Sequence, residues 1–162
     1  MATEVLMGKD TYLFVNTGTK AGNGTGTWTE VDLAKDLTKD RTKAEIDVTN
    51  RESARAGYTA KAQGLKEFKV SFDSNKAALG VTPNAGSALV DAAFDSDASV
   101  EFVVAEGNIN TGTAVPAMFA VGFVGGGNES QPLNEAVTVS YSLSNVGAPL
   151  TGTYTTGTPT LT

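Results

Sequence analysis

The sequence predicts a mainly β protein, an antiparallel β-sandwich or barrel-like core with one flanking α-helix over about residues 83–94. Three observations predict it. Short runs in which apolar and polar residues alternate recur along the chain, and period-two alternation places one face of a strand on a core and the other in water or against a neighbour. Only one segment carries its apolar residues at helical spacing. The connections are rich in Gly and Asn, which suit turns that need positive φ. Strands at such short intervals favour a sandwich or barrel over alternating β and α units.

Taken in order, residues 12–15 read as a first strand, followed by a loop over 16–27, NTGTKAGNGTGT, whose one apolar residue is Ala21. Residues 28–33 read as a second strand, with Val31 and Leu33 on one face and Trp28 on the other. In 32–41, Leu33 and Leu37 are four apart, as on one helical turn, but no capping pattern accompanies them, so this stretch reads as a loop or a single turn. Residues 44–73 read as three short strands around one charged loop. Ile46 and Val48 alternate with Glu45, Asp47 and Thr49; Tyr58, Ala60 and Ala62 alternate with Thr59, Lys61 and Gln63; Phe68, Val70 and Phe72 alternate with Lys69, Ser71 and Asp73. The loop, residues 50–57, is polar, and its Asn50, Arg51, Glu52, Ser53 and Arg55 suit contact with a partner better than inward packing.

Thr82 and Pro83 supply an N-cap hydroxyl and a proline at the first helical position. Ala85, Ala88, Leu89, Ala92 and Ala93 then share a stripe. Asp91, Asp95 and Asp97 fall where the negative end of the helix dipole disfavours carboxylates, so a short helix ending near Phe94 is expected. Beyond it, Val100, Phe102 and Val104, then Phe119, Val121 and Phe123, then Val137, Val139, Tyr141 and Leu143 mark three more strands, with turns expected over 106–113 and 125–134. Residues 1–144 thus read as one β domain. Residues 145–162, rich in Gly, Thr and Pro, read as a tail that orders only against a neighbour.

Composition narrows function by what it lacks. With neither Cys nor His among 162 residues, there is no disulfide, no thiolate or imidazole metal site, no nucleophile with a His base and no His-based pH switch. A chain of this length fits one domain that buries about 70% of its extended surface without staples. No stretch reaches the 18 or so apolar residues of a membrane span, and the N-terminus lacks a signal-peptide pattern, so no membrane association is expected. The net charge of −6 is not that of a protein that grips nucleic acid through a basic patch.

The remaining constellations have ordinary explanations. Gly22, Gly24 and Gly26 are followed by a strand, whereas a phosphate cradle needs a helix there. Asp91, Asp95 and Asp97 lack the EF-hand spacing. Glu45 with Asp47, or Glu101 with Glu106, could be imagined as a glycosidase pair, but surface charges that keep a sheet soluble and prevent wrong edge pairing account for them. No catalytic, cofactor-binding or metal-binding residue is assigned.

Residues 44–73, an I-D-V-T strand end, a polar loop, then G-L-K and a strand, resemble the major tail tube proteins of long-tailed bacteriophages of the siphophage type. The specific part of the resemblance covers about residues 28–73. It implies a non-enzymatic structural virion protein that forms hexameric rings, stacked into a tube through which DNA leaves as a passing, non-specifically contacted cargo. It also implies further partners, namely tape measure, tail-tip and terminator proteins, and a location in the virion tail after the host cytoplasm. Carried onto this chain, Asn50, Arg51, Glu52, Ser53 and Arg55 of the polar loop and Lys20 and Asn23 of the glycine-rich loop become candidates for contacts between subunits or rings. The rivals are another self-assembling virion or fibre subunit, such as a head decoration protein or pilin, and a monomeric carbohydrate-binding β-sandwich module.

Overall fold

A computed structural model describes residues 11–49, 57 and 59–162. Its elements are β1 (Tyr12–Asn16), β2 (Trp28–Glu30), β3 (Ala34–Asp47), β4 (Lys61–Asn75), α1 (Ala85–Ser96), β5 (Ser99–Ala105), β6 (Val115–Ser130), β7 (Thr138–Asn145), β8 (Leu150–Thr155) and β9 (Thr158–Leu161). All strand pairs are antiparallel. The main path runs β2-β1-β5-β6-β7-β4-β3, with β8 and β9 branching from β6, and the sheet does not close.

The branch arises because β6, at 16 residues, is longer than any one neighbour. One edge pairs with β5, while the other carries β8 along residues 115–119 and β7 along residues 122–130. The sheet therefore folds over itself and buries β1, β5 and β6 on both faces. One core joins Leu13, Val15, Phe68, Val70, Phe102 and Leu143 beneath α1; the other joins Phe14, Trp28, Val103, Phe119 and Tyr154 beneath β8 and β9. Each large side chain so buried contributes about 1.5–3 kcal/mol of transfer free energy.

Two stretches differ from the sequence expectation because polar strands escape a search for alternating apolar residues. Residues 34–41, read as a loop or turn, belong to the 14-residue β3, held by its ladder with β4 through a bulge at Lys35/Thr38 where Asp36 adopts φ 52°. The three short strands expected in 44–73 are parts of two long ones. Residues 125–130, expected in a turn, continue β6 past a bulge between Gly126 and Asn128.

The C-terminal segment, expected to order only against a neighbour, forms β8 and β9 on this chain's own β6. Tyr154 is fully buried, and its hydroxyl donates to the Gly24 carbonyl at 2.9 Å, which also accepts from Trp28 Nε1 at 3.2 Å. The Trp28 and Tyr154 rings meet edge to face at 6.0 Å. Gly24 is required there, since its φ is +84° and a Cβ would lie 2.4 Å from Leu161 Cδ1.

The helix begins later than expected. Asn84, not Thr82, is the N-cap; its Oδ1 accepts from Ser87 N at 2.9 Å, while its Nδ2 donates to the Glu30 carbonyl at 2.7 Å. The buried stripe is Gly86, Ser87, Val90 and Ala93, rotated from the alanine stripe because α1 lies hard against β2. A Cβ on Gly86 would sit 2.4 Å from the Glu30 oxygen.

Glu101, read as a surface charge, is 2% exposed. Its Oε2 accepts from Asn16 Nδ2 and its Oε1 from Gly22 N, both at 2.6 Å. Asn16 Oδ1 in turn accepts from Gly18 N at 2.9 Å and Thr27 N at 3.0 Å. One carboxylate and one amide therefore staple both ends of the glycine-rich loop to β1 and β5, satisfying groups that would otherwise be buried unpaired.

Two substitutions test this packing. Tyr154→Ala removes a buried ring and is expected to cost about 3–5 kcal/mol in denaturant unfolding; a loss below about 1 kcal/mol would mean that β8 and β9 are not part of the core. Glu101→Gln replaces one of the two acceptor oxygens with an amide donor, which faces either Asn16 Nδ2 or Gly22 N. It is expected to cost about 1–3 kcal/mol and to expose residues 17–27 to proteolysis, whereas unchanged cleavage would contradict the staple.

Candidate interaction surface

β4 runs partly inside the body and partly outside it. From Phe68 to Asn75 it alternates buried and half-buried positions, whereas from Lys61 to Glu67 no position is buried. The boundary is marked by Asn145 at the end of β7, whose Oδ1 accepts from Phe68 N at 2.9 Å. Outward of that bond, β3 is the one strand beside β4 among the described residues. The pair continues through Val48 N donating to the Ala60 carbonyl at 2.9 Å, so a two-stranded arm extends from the body by about 23 Å over residues 61–67 alone.

Among the described residues, nothing covers the arm's apolar side chains. Leu65 is 88% exposed, and Ile46 and Val48 are about half exposed. Its Lys61 and Glu45 form an ion pair at 2.6 Å. Asp47 Oδ1 accepts from Thr49 N at 2.8 Å and from the Thr49 hydroxyl at 2.5 Å, bonds that hold its carboxyl below the usual carboxylate range. The imagined acid and base at these positions are thus occupied in shaping the arm. Isolated two-stranded ribbons are marginal in water, and an arm with exposed apolar residues on an edge strand is a surface for another chain.

Of the candidate contact residues, Asn50, Arg51, Glu52, Ser53 and Arg55 lie outside the described residues, beyond the arm's outer end. Lys20 and Asn23 lie on the exposed glycine-rich loop. Lys20 Nζ donates to the Ser99 carbonyl, and Asn23 Oδ1 accepts from Thr25 N at 3.0 Å and the Thr25 hydroxyl at 2.6 Å. Both shape the loop from within.

Sequence reasoning missed a second surface, a groove between α1 and the β4, β6 and β7 ends, lined by Leu79, Val81, Asp91, Phe94, Asp95 and Glu129 with Tyr141 at its base. Leu79 is fully exposed. Tyr141 donates to Asp91 Oδ1 at 2.5 Å. Burial, that hydrogen bond and the surrounding charges of Asp91, Asp95 and Glu129 push its phenol well above the ordinary range. Asp91, Asp95 and Asp97 do not converge as a cation site: among the described residues no group of three or more acidic side chains is arranged to hold a metal. The signal that could have found the groove is the run Asp91, Asp95 in a segment without a single balancing cation.

No protein-family model matches this chain, and no curated protein matches it. Solved structures do. A chain from the tail of an empty gene transfer agent particle, refined with C6 helical symmetry, superposes with a TM-score of 0.66 at 14% identity, covering 90% of this chain and 97% of that one. A chain of the native gene transfer agent virion gives 0.65 at 12% identity, covering 91% and 99%. The SPP1 tail tube gives 0.64 at 17% identity, covering 94% and 82%. This chain has the fold found in those tail assemblies, the fold implied by its resemblance to major tail tube proteins.

Proposed function

We propose that this chain is a structural virion subunit that polymerises as stacked rings of six into a tail tube, the conduit for DNA ejection. The observation that carries the reading is the projecting β3–β4 arm, with neither face covered, on a chain that superposes over nine-tenths of its length on a tail assembled with C6 symmetry. A monomeric module has no use for such an arm. A subunit that meets identical copies does, because ring closure pairs exposed edges and head-to-tail stacking grows a filament.

The arm's outer loop, with Asn50, Arg51, Glu52, Ser53 and Arg55, and the glycine-rich loop bearing Lys20 and Asn23 supply contacts between subunits or rings in this reading. Tape measure, tail-tip and terminator proteins are its further partners. Its place is the virion tail, after assembly from subunits in the host cytoplasm. The net charge of −6 suits a wall past which a polyanion slides without being held. The role is non-enzymatic, and the carboxylates Glu45, Asp47 and Glu101 are already engaged in holding the arm and the loop.

Negative-stain microscopy of the purified protein over rising concentration tests the reading. Hollow tubes or six-fold rings are the expected result. A lone compact particle at every concentration, or polymers that are solid fibres or flat sheets, would contradict it.

A further inference from the structure

The positive charge of this chain is concentrated. All but three of its 12 Lys and Arg residues, the exceptions being Lys9, Lys20 and Lys76, fall between positions 35 and 69, and residues 77–162 contain none. Along the β3–β4 ladder the cations are further sorted by face. Lys39 pairs in register with Val70, Arg41 with Phe68 and Lys43 with Lys66, and directly opposed residues point to the same side. Lys39, Arg41, Lys43 and Lys66 therefore form one row on the side of the sheet that Phe68 and Val70 turn to the core, running from the body's β3 edge onto the base of the arm. Asp40, opposite Lys69, and Glu67, opposite Thr42, lie on the other side.

Among the described residues none of the four cations lies within 4 Å of a carboxylate; Lys43 Nζ donates to Gln63, and Glu45 is taken by Lys61. Like charges directly opposed across two strands, as Lys43 and Lys66 are, destabilise the pair unless an anion faces them. The groove beside α1 supplies the complement. Asp91, Asp95 and Glu129 surround Tyr141, with Lys76 on Glu129 at 2.5 Å the one opposing cation among the described residues. Leu79, Val81 and Phe94 add an apolar rim.

The arm cannot reach its own groove. Asn75, at one end of β4, lines the groove, and the strand runs away from it; the nearest member of the row, Lys39, opposite Val70, lies about 16 Å along the ladder from that end and Arg41, opposite Phe68, about 23 Å. Resting on the self-assembly reading above, we infer that the basic row Lys39, Arg41, Lys43 and Lys66 of one copy docks in the acidic groove at Asp91, Asp95 and Glu129 of a second copy. The contact is heterologous, since arm and groove are different surfaces of the same chain. It therefore repeats from copy to copy without closing on a pair.

Charge reversal on each side tests it, with sedimentable polymer and negative-stain images as readouts and circular dichroism as the check on folding. One variant carries Lys39→Glu, Arg41→Glu and Lys43→Glu; another carries Asp91→Lys and Asp95→Lys. Each alone is expected to lower polymer by at least about tenfold, because like charges brought together cost several kcal/mol. A chain with both sets is expected to polymerise again. Asp91 also holds Tyr141, so Asp95→Lys alone is the second groove variant should the pair disturb folding. A folded arm variant that polymerises like the wild type, or a folded double set no better than either set alone, would overturn the docking while leaving the tube reading intact. A wild-type chain that never polymerises would remove both.

Discussion

A strand is stable when at least one of its faces is covered, and the outer half of the β3–β4 hairpin covers neither. From Asn75 to Phe68, β4 lies between β3 and β7 over the core; past it the ladder with β3 is the only support among the described residues. Two strands without a packed face sit near the limit of independent stability. The hairpin nevertheless exposes Leu65, Ile46 and Val48 and a row of cations with no carboxylate within 4 Å among the described residues. The rest of the molecule has to supply the rigidity that holds the hairpin out from the body.

The body meets this demand by burying three strands on both faces. The branch at β6 lets one strand serve two layers, and the C-terminal hairpin of β8 and β9 closes the second core around Trp28 and Tyr154. The glycine-rich loop is fixed by a single buried carboxylate. The helix is drawn onto β2 by Gly86 and tied to the body by Asn84 and by Ser87, whose hydroxyl donates to Asp32 at 2.7 Å. These contacts also build the groove, since α1 forms one wall of it and the ends of β4, β6 and β7 form the others.

Much of the fold was legible because half-buried strands betray themselves. Phe68, Val70 and Phe72 alternate as their burial does, and so do Val139, Tyr141 and Leu143. The edge strand β3 was illegible over residues 34–41 because a strand that buries almost nothing has no apolar period to read. Glu101 was misjudged for the opposite reason: alternation with Val100 and Phe102 implied a wet face, yet that face is covered. The nearly continuous apolar runs of β5 and β6 are the mark of strands buried on both sides and could have warned of it. The C-terminal strands were hidden by composition, since Thr and Gly pack by backbone approach and leave Tyr154 to supply the anchor. The charge pattern of the hairpin was only half legible, because its basic character is local in sequence but its sorting by face depends on register.

The likeness to gene transfer agent and SPP1 tails lies in the fold, at identities of 12–17%, and the case for assembly rests on the unfinished arm. The most direct test of that claim is amide hydrogen exchange along residues 42–47 and 61–67, compared between dilute subunit and concentrated protein. If the arm is completed by a second copy, its amides exchange quickly in the dilute subunit and slow by about tenfold or more on assembly, while core strands β5 and β6 stay protected throughout. Exchange in the arm that is already slow in the dilute subunit, or equally fast in both states, would contradict it.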